Sequence, residues 1–378
     1  MKKKMIRLLA SAALCLLYLL LGAALGFFIG ETIASALPEM SAGTSLLVYG
    51  LLIVALLPIG MLHIIAHEAG HMVCALRSGY GFCSFRIMSW IWQKGADGKI
   101  RRSRLSLAGT GGQCLMTPPE WTEDGVPFLL YNLGGVLANL LLAGISALGA
   151  YLLRDAGIPY VLCVESVITG LFFALTNGLP LPSGAVNNDG SNILALRRSR
   201  AAQRAFWVQM KVNEQISRGQ RLRDMPEEWF ALPPEAEMDN PLVCSVAVFS
   251  ANRRMDELNL PAAEKEIRAL LARKKGLLPL YRALLTMDGA CCELIAGRPG
   301  TMTAALKDKT VQQVMKSMKT YPSVLRTQYI AALLSEKNTD KTAAALAEFD
   351  RCAPRHPNPQ EIESEQELIA LAKEAAHA

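Results

Sequence analysis

The chain has 378 residues, a net charge of +6, 51% hydrophobic residues and a mean hydropathy of +0.24. This composition is too apolar for an ordinary soluble protein of this size and too polar for a chain that lies in the membrane throughout. No basic block has the density of a nucleic-acid-binding surface, so no nucleic-acid partner is expected. The 9 cysteines include no Cys-x-x-Cys pair, which argues against a zinc ribbon or a redox dithiol.

Four apolar segments predict membrane-spanning helices, at about residues 6–29, 45–76, 127–153 and 158–178. The first is longer than the apolar core of a signal peptide, so we interpret it as an anchor helix; Ala34-Ser35-Ala36 leaves cleavage as an alternative. Lys and Arg, with Arg86 among them, cluster beside one set of segment ends, which places both termini in the cytosol by the positive-inside rule. The sequence therefore predicts a multi-pass protein of the cell membrane with about four spans.

The second apolar segment contains the motif His-Glu-x-x-His at residues 67–71. On a helix, His67 and His71 lie one turn apart on the same face and can bind one Zn²⁺. Glu68, beside the first ligand, is placed to act as a general base. Ionisable groups at membrane depth are costly without partners, so this motif indicates a functional site. His63 precedes His67 by four residues; it is either a partner of this cluster or a residue that faces a polar cavity.

Between the second and third spans, two β-prone stretches flank Asp97-Gly98 and predict a β-hairpin. Trp90 and Trp92 are two residues apart and would share one face of a strand. Because Trp favours the membrane interface, we expect this hairpin to be interfacial, with an amphipathic loop as the alternative.

A second polar cluster follows the fourth span, from Asn177 through Pro180 to the Asp189-Gly190 turn. In the predicted topology, it lies on the side of the membrane where the motif-bearing segment ends. Two His and one carboxylate, with the fourth position open, form a catalytic zinc site. Asp189 is therefore the predicted third ligand, although an Asn-Asp-Gly sequence alone is more typical of a surface turn.

Together these motifs resemble those of the site-2 protease family of intramembrane metalloproteases, over about residues 45–195. The chain matches, in order, the family's His-Glu-x-x-His motif, its Gly-x-x-x-Asn element ending at Asn139, and its Asn-x-x-Pro…Asp-Gly motif. The segment between Pro180 and Asp189 is longer than in typical members, and Asn188 replaces the usual Leu.

The resemblance implies a role for each matching residue. It makes His67, His71 and Asp189 the ligands of one Zn²⁺ per chain, with Glu68 as the general base. It makes Asn139 and Asn177 substrate-binding residues that contact the substrate backbone or the oxyanion. It also implies that the hairpin presents an edge to an extended substrate.

After about residue 195 the chain becomes richly charged, and apolar residues recur at helical spacing in 260–273, 277–295, 322–335, 340–351 and 361–375. A tetratricopeptide-like solenoid and a plain helical bundle both fit this pattern. The expected fold is an α-helical multi-pass membrane protein with an interfacial hairpin and an all-α soluble domain. Its predicted parts are an N-terminal anchor and connector (1–44), a metalloprotease core (45–195), a juxtamembrane connector (196–240) and a cytosolic helical domain (241–378).

The expected function is that of a zinc-dependent endopeptidase, which acts in the lipid bilayer on membrane-spanning or membrane-associated substrates. A cytosolic protein or peptide partner is possible at the C-terminal helical domain. Three alternatives remain open. Two His and one Asp also suit Fe(II) oxygenases, although Glu68 argues against one. The other two are a zincin with a glutamate third ligand and a catalytically degenerate membrane scaffold.

Overall fold

The computed structural model describes residue 27 and residues 30–36, 40–105, 110–180 and 187–377. Almost all of the first apolar segment, and the question of its cleavage, therefore lie outside the described residues. The chain divides into two compact units. One comprises 1–66 and 136–175, and the other comprises 67–135 and 176–378.

Three helices are long and apolar enough to cross a membrane: α2 (Ala42–Arg77), α3 (Phe128–Leu152) and α4 (Ile158–Gly178). Residues 30–36, which precede them, are also helical and are labelled α1. Much of the surface of α2 to α4 consists of exposed Leu, Ile and Val side chains. Such a continuous apolar surface is unusual in soluble monomers and suits contact with lipid. The second, third and fourth predicted spans are thus confirmed as helices of the required length and composition.

The small sheet contains β1 (Gly81–Ile87), β2 (Trp90–Lys94), β3 (Ile100–Arg104) and β4 (Gly112–Thr117), all antiparallel, in the order β3-β2-β1-β4. The predicted hairpin is present as β2 and β3, and Gly98 in its turn has a φ of +75° that favours glycine. The sequence predicted one strand where the structure has β1 and β2, because the tight turn at Met88 (φ +53°) carries no Gly, Asn or Pro signal. The fourth strand was not predicted.

In the second unit, the sheet packs against α6 (Arg200–Ser217), which follows α5 (Asp189–Arg198). The helix α6 buries one apolar face, including Phe206 and Trp207, in a core that it shares with Met116 of β4. The helix α6 lies within residues 196–240, which the sequence analysis assigned to the juxtamembrane connector. The Trp207 indole also donates a hydrogen bond to the carbonyl of Pro119 (2.8 Å).

The C-terminal region is all-helical, as predicted. It comprises α7 (Pro241–Asp256), α8 (Leu260–Ala272), α9 (Pro279–Ile295), α10 (Thr301–Ala305), α11 (Lys309–Ser317), α12 (Pro322–Ile330), α13 (Thr339–Cys352) and α14 (Pro359–His377). Helices that follow one another along the chain pack together, as α7 does on α8 and α8 on α9.

Arg326 of α12 is almost fully buried and forms ion pairs with Asp288 (2.6 Å) and Glu365 (2.7 Å).

Candidate metal centre

The three predicted ligands converge in the second unit. Helix α2 supplies His67 and His71, and Asp189 is the first residue of α5. The Nε2 atoms of the two histidines are 3.1 Å apart, and Asp189 Oδ2 lies 3.2 Å from the first and 3.4 Å from the second. Among the described residues, this is the one group of three or more His, Cys, Asp or Glu side chains close enough to share a metal ion.

The environment of these atoms fits a cation. Asp189 Oδ2 is buried and has no hydrogen-bond partner of acceptable geometry among the described residues, although both imidazole nitrogens lie near it. A buried carboxylate oxygen requires a partner, and a metal ion at the meeting point of the three side chains would provide one. Two imidazole nitrogens and one carboxylate oxygen suit a divalent transition metal, and both zinc and iron bind such donors.

The orientation of His71 is fixed by its second ring nitrogen. Its Nδ1 lies 2.8 Å from the backbone carbonyl of Tyr131, which accepts the N–H hydrogen bond. The lone pair of Nε2 is then left facing the cluster, which is the arrangement found in metal-binding histidines. Tyr131 is itself held by a hydrogen bond from its hydroxyl to the carbonyl of Cys114 in β4 (2.7 Å).

Two glycines of α3 allow the close approach of α2. A Cβ atom on Gly135 would lie only 2.4 Å from Cε1 of His67, and one on Gly134 would lie 2.4 Å from the carbonyl oxygen of Gly70. Real Cβ atoms do not approach other atoms so closely, so both positions need glycine. The Gly-x-x-x-Asn element therefore has a local steric role beside the first ligand.

Asn188 secures the segment that carries Asp189, the predicted third ligand. Its Oδ1 accepts a hydrogen bond from the backbone N–H of Ser191 (2.9 Å) and so caps α5. Its Nδ2 donates to the carbonyls of Thr176 (2.8 Å) and Leu179 (2.6 Å), at the end of α4. Asn188 thus ties Asp189, the next residue, to the end of α4.

Glu68 is buried beside the ligands and lies against the first residue of β4. A Cβ atom on Gly112 would be 2.6 Å from Cγ and Oε1 of Glu68, so the backbone of the strand passes directly over the carboxylate. Nearby, Arg86 is 1% exposed and donates hydrogen bonds to the carbonyls of Met88 (2.6 Å) and Gly112 (3.4 Å) and to the hydroxyl of Thr110. Burial lowers the pKa of Arg86, and the charge of Glu68 partly offsets this effect.

In the sequence analysis, Arg86 was grouped with the charged residues that flank the membrane segments. The burial of Arg86 beside the site was not predicted. The one available signal was its position inside a β-prone apolar stretch, Cys83 to Trp92, where a surface charge is unexpected.

The other predicted residues are placed as follows. In the first unit, Asn139 is fully buried and its Oδ1 lies 3.3 Å from Nδ1 of His63. The Nε2 of His63 lies 3.2 Å from the hydroxyl of Ser166, so this imidazole belongs to a buried polar cluster. In the second unit, Asn177 is half-buried and is the last residue but one of α4. The substrate-binding roles of Asn139 and Asn177 stay predictions.

No family model matches the chain, and the comparisons with curated proteins and with solved structures also return no match.

Proposed function

We propose that the protein is an intramembrane zinc-dependent endopeptidase, which hydrolyses peptide bonds of membrane-spanning or membrane-associated substrates. The observation that carries this proposal is that Asp189 converges with His67 and His71, which lie with Glu68 on a helix long and apolar enough to cross a membrane. The same residues match the motifs of the site-2 protease family. The proposed location is the cell membrane, with about four spans and both termini in the cytosol.

In the proposed mechanism, His67, His71 and Asp189 hold one Zn²⁺ per chain. When bound there, zinc would act as a Lewis acid that activates water and polarises the peptide carbonyl. Glu68 accepts the proton of the attacking water and returns it to the leaving amine. Its burial under β4 excludes bulk water that would compete for this proton.

The sheet suggests where the substrate enters. A membrane-spanning substrate must unwind before hydrolysis, and an extended segment can pair with a free strand edge. Of the two outer strands, β4 is the one whose first residue lies against Glu68. We therefore propose that the scissile segment runs along β4, and that Asn139 and Asn177 bind its backbone.

The decisive experiment uses Glu68→Gln. Gln has almost the same shape as Glu but cannot accept the proton at neutral pH, and Glu68 is not among the proposed ligands. The variant should keep its zinc and lose about 10²–10⁴-fold in cleavage rate. Glu120→Gln is the matched control, because this exposed carboxylate is outside the site. The substrate for the assay is the membrane protein that the Glu68→Gln variant captures in its native cell.

Two results would redirect the proposal. Wild-type cleavage rates in Glu68→Gln would disprove the proton-transfer role and the mechanism with it. If neither form cleaves any captured membrane protein, while both bind one partner through residues 241–378, the scaffold function replaces the enzymatic one.

A further inference from the structure

Arg86 of β1 is a buried cation next to the candidate metal centre, and it is only 1% exposed. Among the described residues, Glu68 is the one acid whose charge acts on it appreciably. The Nε–H of Arg86 has no hydrogen-bond acceptor in the same part of the chain. A buried charge and a buried unpaired donor both lower stability. A neutral side chain would avoid this cost, so the cation at this position indicates a role in the site.

The other nitrogens of this guanidinium clamp two segments of the chain together. They donate hydrogen bonds to the carbonyl of Met88 (2.6 Å), in the turn after β1, and to the hydroxyl of Thr110 and the carbonyl of Gly112 (3.4 Å), at the start of β4. The backbone N–H of Met88 adds a hydrogen bond to the carbonyl of Gly111 (2.8 Å). The guanidinium therefore holds the start of β4 against this turn.

The start of β4 in turn determines the position of Glu68. The backbone at Gly112 passes so close that a Cβ atom there would lie 2.6 Å from both Cγ and Oε1 of Glu68. Gly111 and Gly112 have no side chains to anchor this segment, and glycine loses more conformational freedom on ordering than any other residue. The hydrogen bonds of Arg86 supply the missing anchor. Without them, the strand would lift from the carboxylate and leave it free to rotate.

A second anchor of β4 comes from the ligand side of the site. The hydroxyl of Tyr131 donates to the carbonyl of Cys114 (2.7 Å), and the carbonyl of Tyr131 accepts a hydrogen bond from Nδ1 of His71 (2.8 Å). One point of β4 is thus held by the residue that orients a predicted ligand, and another point is held by Arg86. The base and this ligand have the same strand as their support.

We propose that Arg86 is a positioning residue for Glu68. Its hydrogen bonds clamp the start of β4 over the carboxylate, and its buried positive charge attracts that carboxylate, so Glu68 keeps one orientation during proton transfer. Attraction between opposite charges is strong where water is excluded, so the charge acts even without direct contact. The inference rests on the proposed function in one respect, because it takes Glu68 as the general base.

The clamp is tested with Arg86→Gln in the full-length, detergent-solubilised chain, with Arg282→Gln as the matched control. Arg282 also donates to two carbonyls, those of Leu271 (2.6 Å) and Arg273 (2.5 Å), but it lies in the helical region. Hydrogen exchange of the backbone amides at 110–117 should become roughly tenfold faster in Arg86→Gln and stay unchanged in the control. Both variants should keep their zinc, since neither arginine has a hydrogen bond or ion pair to a proposed ligand.

Cleavage kinetics separate positioning from folding. With the captured membrane protein as substrate, Arg86→Gln should lower kcat about 10²-fold, the cost of a misplaced catalytic group, and leave KM nearly unchanged. In Arg86→Ala, added guanidinium ion should restore part of kcat. Urea has nearly the same planar shape but no charge, so it should restore none. Arg86→Lys keeps the charge without the planar fork and should have an intermediate kcat.

Wild-type kcat in Arg86→Gln, with its unfolding temperature preserved, would overturn the inference, and so would equal rescue by urea and guanidinium. If Arg86→Gln does not fold, Arg86→Lys decides, because wild-type kcat in that variant would show that the clamp is not needed. Hydrogen exchange is read without cleavage, so the two proposals fail separately. Arg86-dependent protection of 110–117 in an inactive wild type refutes only the peptidase. Cleavage that requires Glu68 but ignores Arg86 refutes only this inference.

Discussion

Replacement of Asn188 by Ala tests how the third ligand is held in place. The substitution removes the N-cap of α5, which contributes about 1 kcal/mol. It also removes the hydrogen bond to the carbonyl of Thr176, which contributes about 1 kcal/mol more. The bond to the carbonyl of Leu179 is exposed, so water replaces it at little cost. The loss is therefore about 2 kcal/mol, and since Asp189 is the next residue, zinc affinity should fall by up to about 30-fold.

The assay is a zinc competition titration against a fluorescent chelator, combined with thermal unfolding of the detergent-solubilised protein. Asn338→Ala is the matched control. Asn338 caps α13 by accepting a hydrogen bond from the N–H of Lys341 (2.9 Å), and it is remote in sequence from the ligands. This control should lose about 1 kcal/mol of stability and no zinc affinity. If both variants bind zinc as tightly as the wild type, Asn188 does not position Asp189, and the reasoning from its hydrogen bonds is refuted.

Two further substitutions probe the packing around the site and in the helical region. Gly135→Ala should displace His67 and lower the bound zinc measured by elemental analysis. The control Gly144→Ala should keep full zinc, because a Cβ atom at this position of the same helix meets open space. Equal zinc contents in the two variants would contradict the steric role of Gly135. Arg326→Met removes a buried cation from two partly buried carboxylates and should lower the free energy of unfolding by about 3–5 kcal/mol in urea titrations. The exposed Arg351→Met should cost about 0–1 kcal/mol, and a similar loss in both would show that burial does not set the cost.

The sequence predicted most of the candidate metal centre, because its geometry is mostly local. Helical spacing alone sets His67 and His71 on one face, and the length of an apolar segment alone predicts α2, α3 and α4. Asp189 required more, since it is far from the histidines along the chain. The predicted topology and the need of a zinc site for a carboxylate pointed to it, the family resemblance agreed, and in the structure its Oδ2 lies within 3.4 Å of both imidazoles.

The features that the sequence did not predict depend on tertiary contacts. The apolar face of α6 looked like part of a connector, because nothing in the sequence indicates that it packs against the sheet. Arg86 was interpreted as a surface charge, because the sequence does not show that the folded chain supplies two carbonyls and a hydroxyl as its partners. Asn188 looked like a departure from a pattern, and only its three hydrogen bonds reveal its role.

The most direct test of the central claim is the zinc K-edge X-ray absorption spectrum of the purified wild-type protein. We expect one zinc per chain, with two imidazole nitrogens at about 2.0–2.1 Å and oxygen ligands at about 2.0–2.2 Å. A spectrum without histidine scattering, or one with sulfur ligands at about 2.3 Å, would contradict the assignment of His67, His71 and Asp189 as the zinc site.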